Sequence, residues 1–331
     1  MGVKPLLRTD ILRALMNGAA DSLRENLVRR AAPVLAERHS GENLRQGNDF
    51  LGRGDEHGAD SLAGDIPAYR AELGPVRTSA ARVSQDTDPV FLDIRERLFV
   101  RGDAAARAAW GRELMELTEL GYGRQADHHL EQVLGLPAYR YHEAPSAGRP
   151  AAPFEGLSPQ LAGQPGLHAP EPSRMVYLTP VAKALNLTPD DVVYDIGSGL
   201  GKAGLFFGGF TPAKRVVGLE IEPAYAAYAD ERARELGLSH VSFVNRDALE
   251  ADISDGTAFY FYNPFGSTAD RDTVGLLAER FAELGSERDI QIAVKGKPLQ
   301  TRLDETGVFS AETVLEDPAV WKVYRSHQDP R

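Results

Sequence analysis

The sequence predicts an α/β fold, in which a helical N-terminal domain is followed by an open, mostly parallel, doubly wound sheet. Three observations support this prediction. From residue 172 onward, strand-like and helix-like segments alternate along the chain. A run of glycines separates a buried strand from a helix within residues 192–206. The N-terminal part, residues 1–136, shows mainly helical periodicity.

Composition limits the class of protein. The 331 residues are enough for two domains, and 42% hydrophobic and 26% charged residues are ordinary for a soluble globular protein. The absence of cysteine excludes disulfides, zinc–thiolate sites and a cysteine nucleophile, and it fits a cytoplasmic protein. We find no secretory signal pattern and no window approaching the roughly 18 apolar residues of a membrane span. The net charge of −11 argues against a broad nucleic-acid-binding surface.

The N-terminal domain is predicted to consist of helices. One helix covers residues 5–39, and Pro33 should kink or divide it. Residues 40–65 are rich in Gly, Asp and Asn and predict a long loop, either disordered or a lid. Residues 87–136 are helical again, with an apolar stripe that we interpret as core. That stripe consists of Trp110, Leu114, Leu117 and Leu120.

A proline- and glycine-rich linker is predicted over residues 137–171, which places the C-terminal domain at 172–331. The pair His128-His129 precedes this linker. Adjacent helical residues face different ways and no HExxH-like spacing accompanies the pair, so no metal site is predicted.

The C-terminal domain begins with a helix over residues 173–187 that Pro180 should interrupt. The predicted strands are 192–197, 215–221, 241–245, 257–262, 290–294, 308–315 and 320–326. Predicted helices start at Lys202 and Pro223, and a third covers 270–284. The last two strands are separated by a short turn and should form an antiparallel hairpin.

The glycine-rich turn within VVYDIGSGLGKAGLF predicts a cofactor cradle. Gly197, Gly199 and Gly201 allow a tight turn and let a ligand touch the main chain. The helix that starts at Lys202 directs its free N–H groups toward the same place.

Two kinds of cofactor fit this turn. The segment GLGKAG matches the dinucleotide pattern G-x-G-x-x-G, and Glu220 lies about 20 residues further on. Read from Asp195, the turn is instead D-x-G-x-G-x-G, with Gly197 and Ser198 preceding the dinucleotide pattern. A carboxylate beneath the turn suits a cationic cofactor better than a pyrophosphate, because like charges repel.

Polar residues fall at the predicted carboxyl ends of successive strands, where α/β sheets bind their ligands. They are Asp195, Glu220, Asp247 and Asn263. Asp195, Asp247 and Asn263 each alone also fit a turn or a cap. Glu220 alone also fits a solvated residue, since Glu222 is an equal candidate by composition. Together, at successive strand ends, they predict one site.

Residues 172–326 resemble the class I S-adenosylmethionine-dependent methyltransferase domain. The resemblance rests on VVYDIGSGLG, VVGLEIEP, VNRDAL and YFYNPF, in that order. It implies a seven-stranded sheet with an antiparallel last strand and S-adenosyl-L-methionine as the cofactor. The segment DIGSGLGK and the preceding helix also resemble, more loosely, the Dot1-type lysine methyltransferases.

The resemblance also implies a role for each motif. Asp195 and the glycines hold the methionine end of the cofactor, Glu220 receives both ribose hydroxyls, and Asp247 meets the adenine amino group. The implied cofactor-binding set is Asp195, Gly197, Ser198, Gly199, Gly201, Glu220, Ile221, Asp247, Ala248 and Asn263.

The NPF segment resembles the N/D-P-P-Y/F signature of amino-methylating members, with the second proline missing. The catalytic set that it implies is Tyr262, Asn263, Pro264 and Phe265. Methyl transfer needs alignment more than acid–base groups. The Asn263 amide oxygen can accept a hydrogen bond from an amine, and the aromatic rings can face a cation. Tyr260 and Tyr262 share one face of a strand, so core packing remains an alternative for both.

We therefore predict an S-adenosylmethionine-dependent methyltransferase that N-methylates an amine of a protein, peptide or small molecule, with the N-terminal half as substrate-selecting domain or lid. One alternative is an NAD(P)-dependent oxidoreductase using GLGKAG, weakened because only about 130 residues follow the loop. Another is a non-catalytic binding protein of the same fold. The acidic balance argues against a nucleic-acid substrate. The oligomeric state, a homodimer included, stays open.

Overall fold

The computed structural model describes residues 89–137, 171–262, 272–316 and 319–326. All of them belong to one compact unit, Arg77–Arg331. The helix predicted over 5–39 and the loop predicted over 40–65 lie outside the described residues, as does most of the predicted linker. None of the helices in the described ranges is long and apolar enough to span a membrane.

The described residues contain one seven-stranded sheet. Its strands are β1 (Val192–Ile196), β2 (Arg215–Glu220), β3 (Val241–Asn245), β4 (Ala258–Tyr262), β5 (Gln291–Lys295), β6 (Phe309–Leu315) and β7 (Trp321–Ser326). Their order across the sheet is β3-β2-β1-β4-β5-β7-β6. The first five strands pair in parallel, and β7 is antiparallel to both β5 and β6. The predicted mostly parallel sheet with an antiparallel last strand is confirmed.

The order of the strands creates a switch point between β1 and β4. β1 pairs with β2 on one side and with β4 on the other, so the chain winds in opposite directions from the middle of the sheet. Ligands of such sheets bind outside the carboxyl ends of the strands at this point. At the same edge, Tyr262 of β4 lies opposite Lys295 of β5, which lies opposite Trp321 of β7.

Helices cover both faces of the sheet. They are α1 (Pro89–Arg95), α2 (Ala104–Leu117), α3 (Gly123–Leu134), α4 (Met175–Leu185), α5 (Lys202–Phe210), α6 (Pro223–Glu235), α7 (Thr273–Glu287) and α8 (Lys297–Thr306). Helix α4 continues through Pro180, where an interruption was predicted. Helix α8 was not predicted, because its sequence KPLQTRLDET carries only Leu299 and Leu303 as apolar residues.

The apolar stripe predicted on the N-terminal helices is core only in part. Trp110 and Leu114 are buried, whereas Leu120 is 39% exposed. A π-helical segment, Thr118–Tyr122, follows α2 and contains Gly121 at φ +91°. The wider turn shifts the following residues around the helix axis, so the core prediction for Leu120 is wrong.

One face of the sheet packs against α7 and α8. Phe259 of β4 meets Phe281 of α7 with ring centroids 5.0 Å apart. Leu277, Ile292 and Leu303 complete this core and are fully buried. Burying each such side chain stabilises the fold by about 1.5–3 kcal/mol.

The other face is covered by α5, whose nine residues are all buried. A helix that is apolar all round must be covered on both sides. Its outer side meets α2: the ring of Phe210 lies 5.1 Å from that of Trp110, and a Cβ on Gly111 would come within 2.6 Å of Phe210 Cβ. The helices over residues 89–134 therefore share one compact unit with the sheet. The limits 1–136, 137–171 and 172–331 remain predictions.

A buried ion cluster joins these helices to the start of α5. Lys202 Nζ lies 2.7 Å from Asp127 Oδ1 and 2.6 Å from Glu131 Oε1, both on α3. All three side chains are at most 5% exposed. Asp127 Oδ1 also accepts the backbone N–H of Met175 at 2.8 Å, so one carboxylate ties together α3, α4 and α5.

We predict that Lys202→Met strongly destabilises the protein, because two buried carboxylates lose their cation. Removing one partner of a buried ion pair typically costs about 3–5 kcal/mol. Urea denaturation measures the loss. Lys183→Met is the matched control, since Lys183 and Glu119 are about half exposed (51% and 49%) and such surface pairs contribute only about 0–1 kcal/mol. Equal losses in the two variants would contradict a structural role for the buried cluster.

Candidate functional site

The glycine loop after β1 has a backbone conformation that residues with a side chain rarely adopt. Gly197, Gly199 and Gly201 have φ values of 72°, 53° and 84°. This left-handed region favours glycine, because a Cβ clashes there with the backbone. At Gly201 a Cβ would also come within 2.8 Å of both Ala229 and Phe243. The loop is therefore shaped by its glycines and exposes main chain at the carboxyl end of β1.

Asp195 fixes the helix that follows the loop. Its carboxylate is buried, and Oδ2 accepts the backbone N–H of Gly204 in the first turn of α5 at 2.9 Å. Burial raises the pKa of Asp195 to about 7; the Gly204 hydrogen bond opposes this effect, and the negative charge of Glu220 adds to it.

The raised pKa of Asp195 has a consequence for stability. Because the folded-state pKa lies above the ordinary aspartate pKa of 3.8, the folded protein holds this proton more tightly than the unfolded chain does. The associated stability is complete below pH 3.8 and is lost as the pH rises toward about 7. A cation bound near Asp195 favours the ionised carboxylate and opposes this loss.

Glu220 connects the end of β2 to the glycine loop. Its Oε2 accepts the N–H of Gly199 at 2.6 Å and its Oε1 accepts the N–H of Glu222 at 2.8 Å. A carboxylate can accept about four hydrogen bonds, so with the further backbone hydrogen bond from Ile221 it retains capacity for a ligand hydroxyl. Of the two acids between which composition did not decide, Glu220 is the one in contact with the loop.

Asn245, at the end of β3, holds the backbone that follows β2. Its Nδ2 donates to the carbonyl oxygens of Glu220 and Ile221 at 3.0 and 2.8 Å. The neighbouring N–H of Arg246 also donates to the Glu220 carbonyl, at 3.0 Å. The sequence interpretation missed Asn245, although its position two residues before Asp247 placed it at a strand end.

Three further residues of the predicted cofactor-binding set have local roles in the structure. Asp247 begins a turn: its Oδ1 accepts the N–H of Leu249 at 2.9 Å. Ala248 is buried, and its carbonyl accepts Arg280 Nη1 at 2.9 Å. Ser198 directs its buried hydroxyl toward β2, since a Cβ on Gly218 would lie 2.8 Å from Ser198 Oγ. The roles in cofactor binding proposed for these residues stay predictions.

Of the predicted catalytic set, the structure describes Tyr262; Asn263, Pro264 and Phe265 lie outside the described residues. The alternative of core packing holds for Tyr260, which is fully buried and donates its hydroxyl to Ser173 Oγ at 2.8 Å. Tyr262, two residues further along β4, is only partly buried at the end of the strand.

Tyr262 belongs to a group that we term the strand-end aromatic cluster, formed by Tyr177, Tyr262 and Trp321. The Tyr262 ring centroid lies 5.7 Å from those of Tyr177 and Trp321, which are 6.0 Å apart. The ammonium of Lys295 lies over the Tyr262 ring, 4.1 Å from its centroid, and 5.4 Å from that of Tyr177. Burial raises the pKa of Tyr262, so its ring stays neutral. The sequence interpretation missed Tyr177, Trp321 and Lys295.

His128 and His129 pack against Phe91, with ring centroids 5.5 and 5.4 Å from the phenyl ring. Across the described ranges, no three or more His, Cys, Asp or Glu side chains are grouped as metal ligands would be.

The residues around the glycine loop fit S-adenosylmethionine. The cofactor carries a sulfonium cation and two ribose hydroxyls, and the loop lies between Asp195 and a Glu220 carboxylate with unused acceptor capacity. A pyrophosphate there would meet two acids, and like charges about 4 Å apart repel by about 4 kcal/mol near a protein surface. This sheet order, with this loop and these carboxylates, is that of the class I S-adenosylmethionine-dependent methyltransferases, and S-adenosylmethionine is the cofactor.

Residues 173–253 match the family model described as histone methylation protein DOT1. The match includes α4, the glycine loop, β2 and β3, and it ends before β4. The protein is thus an S-adenosylmethionine-dependent methyltransferase with a Dot1-like cofactor-binding segment. No curated protein matches the sequence.

Several solved methyltransferase structures are similar over the sheet. An RNA methyltransferase from Salinibacter ruber, in complex with S-adenosyl-L-homocysteine, is 25% identical over 49% of this chain and 97% of its own (TM-score 0.35). Precorrin-6y C5,15-methyltransferase from Geobacter metallireducens is 16% identical over 52% and 94% (TM-score 0.37). The Bacillus subtilis tRNA methyltransferase TrmK is 18% identical over 46% and 66% (TM-score 0.35).

We predict that Glu220→Gln lowers the affinity for S-adenosyl-L-homocysteine at least about tenfold. The variant keeps the size of the side chain and loses the charge, and hydrogen bonds to a charged group contribute about 1.5–3 kcal/mol each. Isothermal titration calorimetry measures the change. Glu222→Gln is the control, because Glu222 reaches the Glu220 carboxylate through its backbone N–H. If the control lost affinity and Glu220→Gln did not, the assignment of the ribose-binding acid would be wrong.

Proposed function

We propose that this methyltransferase transfers the methyl group to an amine nitrogen of a protein, peptide or small molecule at the carboxyl ends of β4 and β5. The observation that carries the proposal is the contact between the Lys295 ammonium and the strand-end aromatic cluster. Aromatic faces that hold one primary ammonium suit another in its place, because the ring quadrupole attracts any compact cation. Tyr262 directly precedes the segment NPF in the sequence, and this segment resembles the signature of amino-methylating members.

The chemistry of the cluster favours nitrogen over oxygen as the acceptor. An amine needs only its free lone pair to attack a methyl carbon, whereas a hydroxyl must lose a proton to a base as the bond forms. The described residues at the end of β4 offer neutral rings, the ammonium of Lys295 and the carboxylate of Glu171, which interacts with the Tyr262 hydroxyl. A carboxylate is a weak base toward a hydroxyl, whereas an amine needs only its own lone pair, so nitrogen is the better acceptor here. The incoming ammonium releases its proton before transfer, and solvent takes it.

Each of the chain's own groups then has a defined task. When bound, the cofactor supplies an electrophilic methyl group on a positively charged sulfur. Asp195 and Glu220 hold the glycine loop in place and contribute negative charge near that cation. Tyr262 faces the acceptor, and Asn263 is proposed to accept a hydrogen bond from its nitrogen. Such groups act by aligning the acceptor with the methyl group, which can lower the activation barrier by several kcal/mol.

The remaining assignments rest on the sequence. We propose that the part of the chain before the linker selects the substrate or covers the site. A substrate other than nucleic acid is supported by the net charge of −11, and a cytoplasmic location by the lack of cysteine.

The proposed function predicts that Asn263→Ala binds S-adenosylmethionine as wild type does but turns over roughly 10- to 1000-fold more slowly, the range for losing a positioning group. The assay measures transfer of labelled methyl groups to lysine-containing peptides and small amines. Asn263→Asp should retain partial activity, because a carboxylate accepts the same hydrogen bond. Methylation of hydroxyls alone would refute the amine assignment, and cofactor binding without any transfer would favour a non-catalytic binding protein.

A further inference from the structure

Lys295 occupies an unusual position for a lysine. It is the last residue of β5, opposite Tyr262 in the register, and its half-buried side chain lies over the Tyr262 ring. Its Nζ is 4.1 Å from the Tyr262 ring centroid and 5.4 Å from that of Tyr177. A primary amine of the protein thus already lies on the faces where we place an acceptor nitrogen.

Three other lysines of the described residues, Lys183, Lys202 and Lys322, are held by carboxylates. Lys183 pairs with Glu119, and Lys202 with Asp127 and Glu131. Lys322 is the closest comparison: it lies 5.8 Å from the Tyr324 ring centroid, but its Nζ is also 3.0 Å from Asp304. Lys295 has no such ion pair within the described ranges.

The surroundings of Lys295 favour the neutral amine more than water does. Burial lowers the pKa of Lys295; the carboxylate of Glu171 opposes this, and the positive charge of Arg174 adds to it. Only the neutral amine has the lone pair that a methyl transfer requires. Lys295 consequently offers a larger reactive fraction at neutral pH than an exposed lysine.

We propose that Lys295 is itself a methyl acceptor, so that the protein methylates its own strand-end lysine intramolecularly. This proposal rests on the proposed amine methyltransferase function. The neutral Nζ forms a bond to the methyl carbon, the bond from that carbon to sulfur breaks, and its electron pair stays on sulfur. S-adenosylhomocysteine and an N-methylated ammonium result, after the original ammonium has given one proton to solvent.

Methylation does not remove Lys295 from the cluster. An N-methylated lysine keeps its charge at neutral pH, and its larger, less strongly hydrated head group suits aromatic faces better than an unmodified ammonium does. We therefore expect the modified side chain to stay over Tyr262 and to be retained through purification. The modification would be detectable on the protein itself, without knowledge of any external substrate.

The test incubates the full-length protein with S-adenosylmethionine carrying a deuterated methyl group and maps the label by peptide mass spectrometry. We expect label on Lys295, at a rate per molecule that does not change on dilution. Lys295→Arg should lose this label, and the matched Lys322→Arg should keep it. If Lys295 carried neither label nor methyl groups retained from expression while external amines were methylated, this inference would be overturned and the proposed function left intact. Absence of transfer to every amine would overturn both, and a rate proportional to protein concentration would refute the intramolecular step.

A second measurement needs no turnover. In the cofactor-free protein, ring currents of Tyr262 and Tyr177 should move the Lys295 ε-methylene proton resonances upfield from those of an exposed lysine. Lys295→Arg assigns the signal, and Tyr262→Leu or Tyr177→Leu should reduce the shift without moving the Lys322 signal. Lys295 resonances at the position of an exposed lysine would contradict the contact on which the inference depends.

Discussion

The buried contact of Lys202 with Asp127 and Glu131 is the interaction on which the cofactor site most depends. Lys202 is the first residue of α5, directly after the glycine loop, and a cation there is opposed by the helix dipole. The two carboxylates of α3 offset both this repulsion and the loss of solvent around the ammonium. The start of α5, and with it the loop, is thereby fixed to helix α3, which ends at Leu134, 58 positions before β1 begins at Val192. The helices over 89–134 are part of the scaffold of the site.

Two further carboxylates, those of Asp195 and Glu220, determine which ligand charge the glycine loop favours. Asp195 holds the first turn of α5 and Glu220 holds the middle of the loop, each through a backbone N–H. Each therefore shapes the loop and also places negative charge beside it. Burial already disfavours the ionised form of both carboxylates. A cationic ligand stabilises this ionised form, whereas an anionic ligand would disfavour it further. The same contacts that shape the loop thus select its cofactor.

The features that could be predicted from the sequence are those with a local pattern. The strands were predicted within about two residues, because β-branched and aromatic runs alternate with turn residues, and the glycine loop was predicted from its spacing. Glu220 could not be separated from Glu222 by pattern, since only the contact with Gly199 distinguishes them. Helix α8 was not predicted, because its sequence lacks apolar periodicity. Leu120 was wrongly predicted to be a core residue, because a π-helical turn changed the helical register.

The contacts that could not be predicted join distant parts of the chain. The trio around Lys202 pairs residues 71 and 75 positions apart, which no local pattern encodes. Tyr262 was predicted as a site residue, but its neighbours were not. Trp321 reaches it only because β7 runs antiparallel beside β5, and Tyr177 only because α4 packs against that edge. These placements depend on strand order and helix docking, which the sequence constrains only through the whole fold.

The most direct test of the account is a comparison of S-adenosyl-L-homocysteine and NAD as stabilising ligands of the full-length protein. A ligand present at 100 times its dissociation constant stabilises the folded state by about 2.7 kcal/mol, which thermal denaturation detects. We expect S-adenosyl-L-homocysteine to raise the melting temperature in a concentration-dependent way and NAD to leave it unchanged. Stabilisation by NAD without stabilisation by S-adenosyl-L-homocysteine would contradict it.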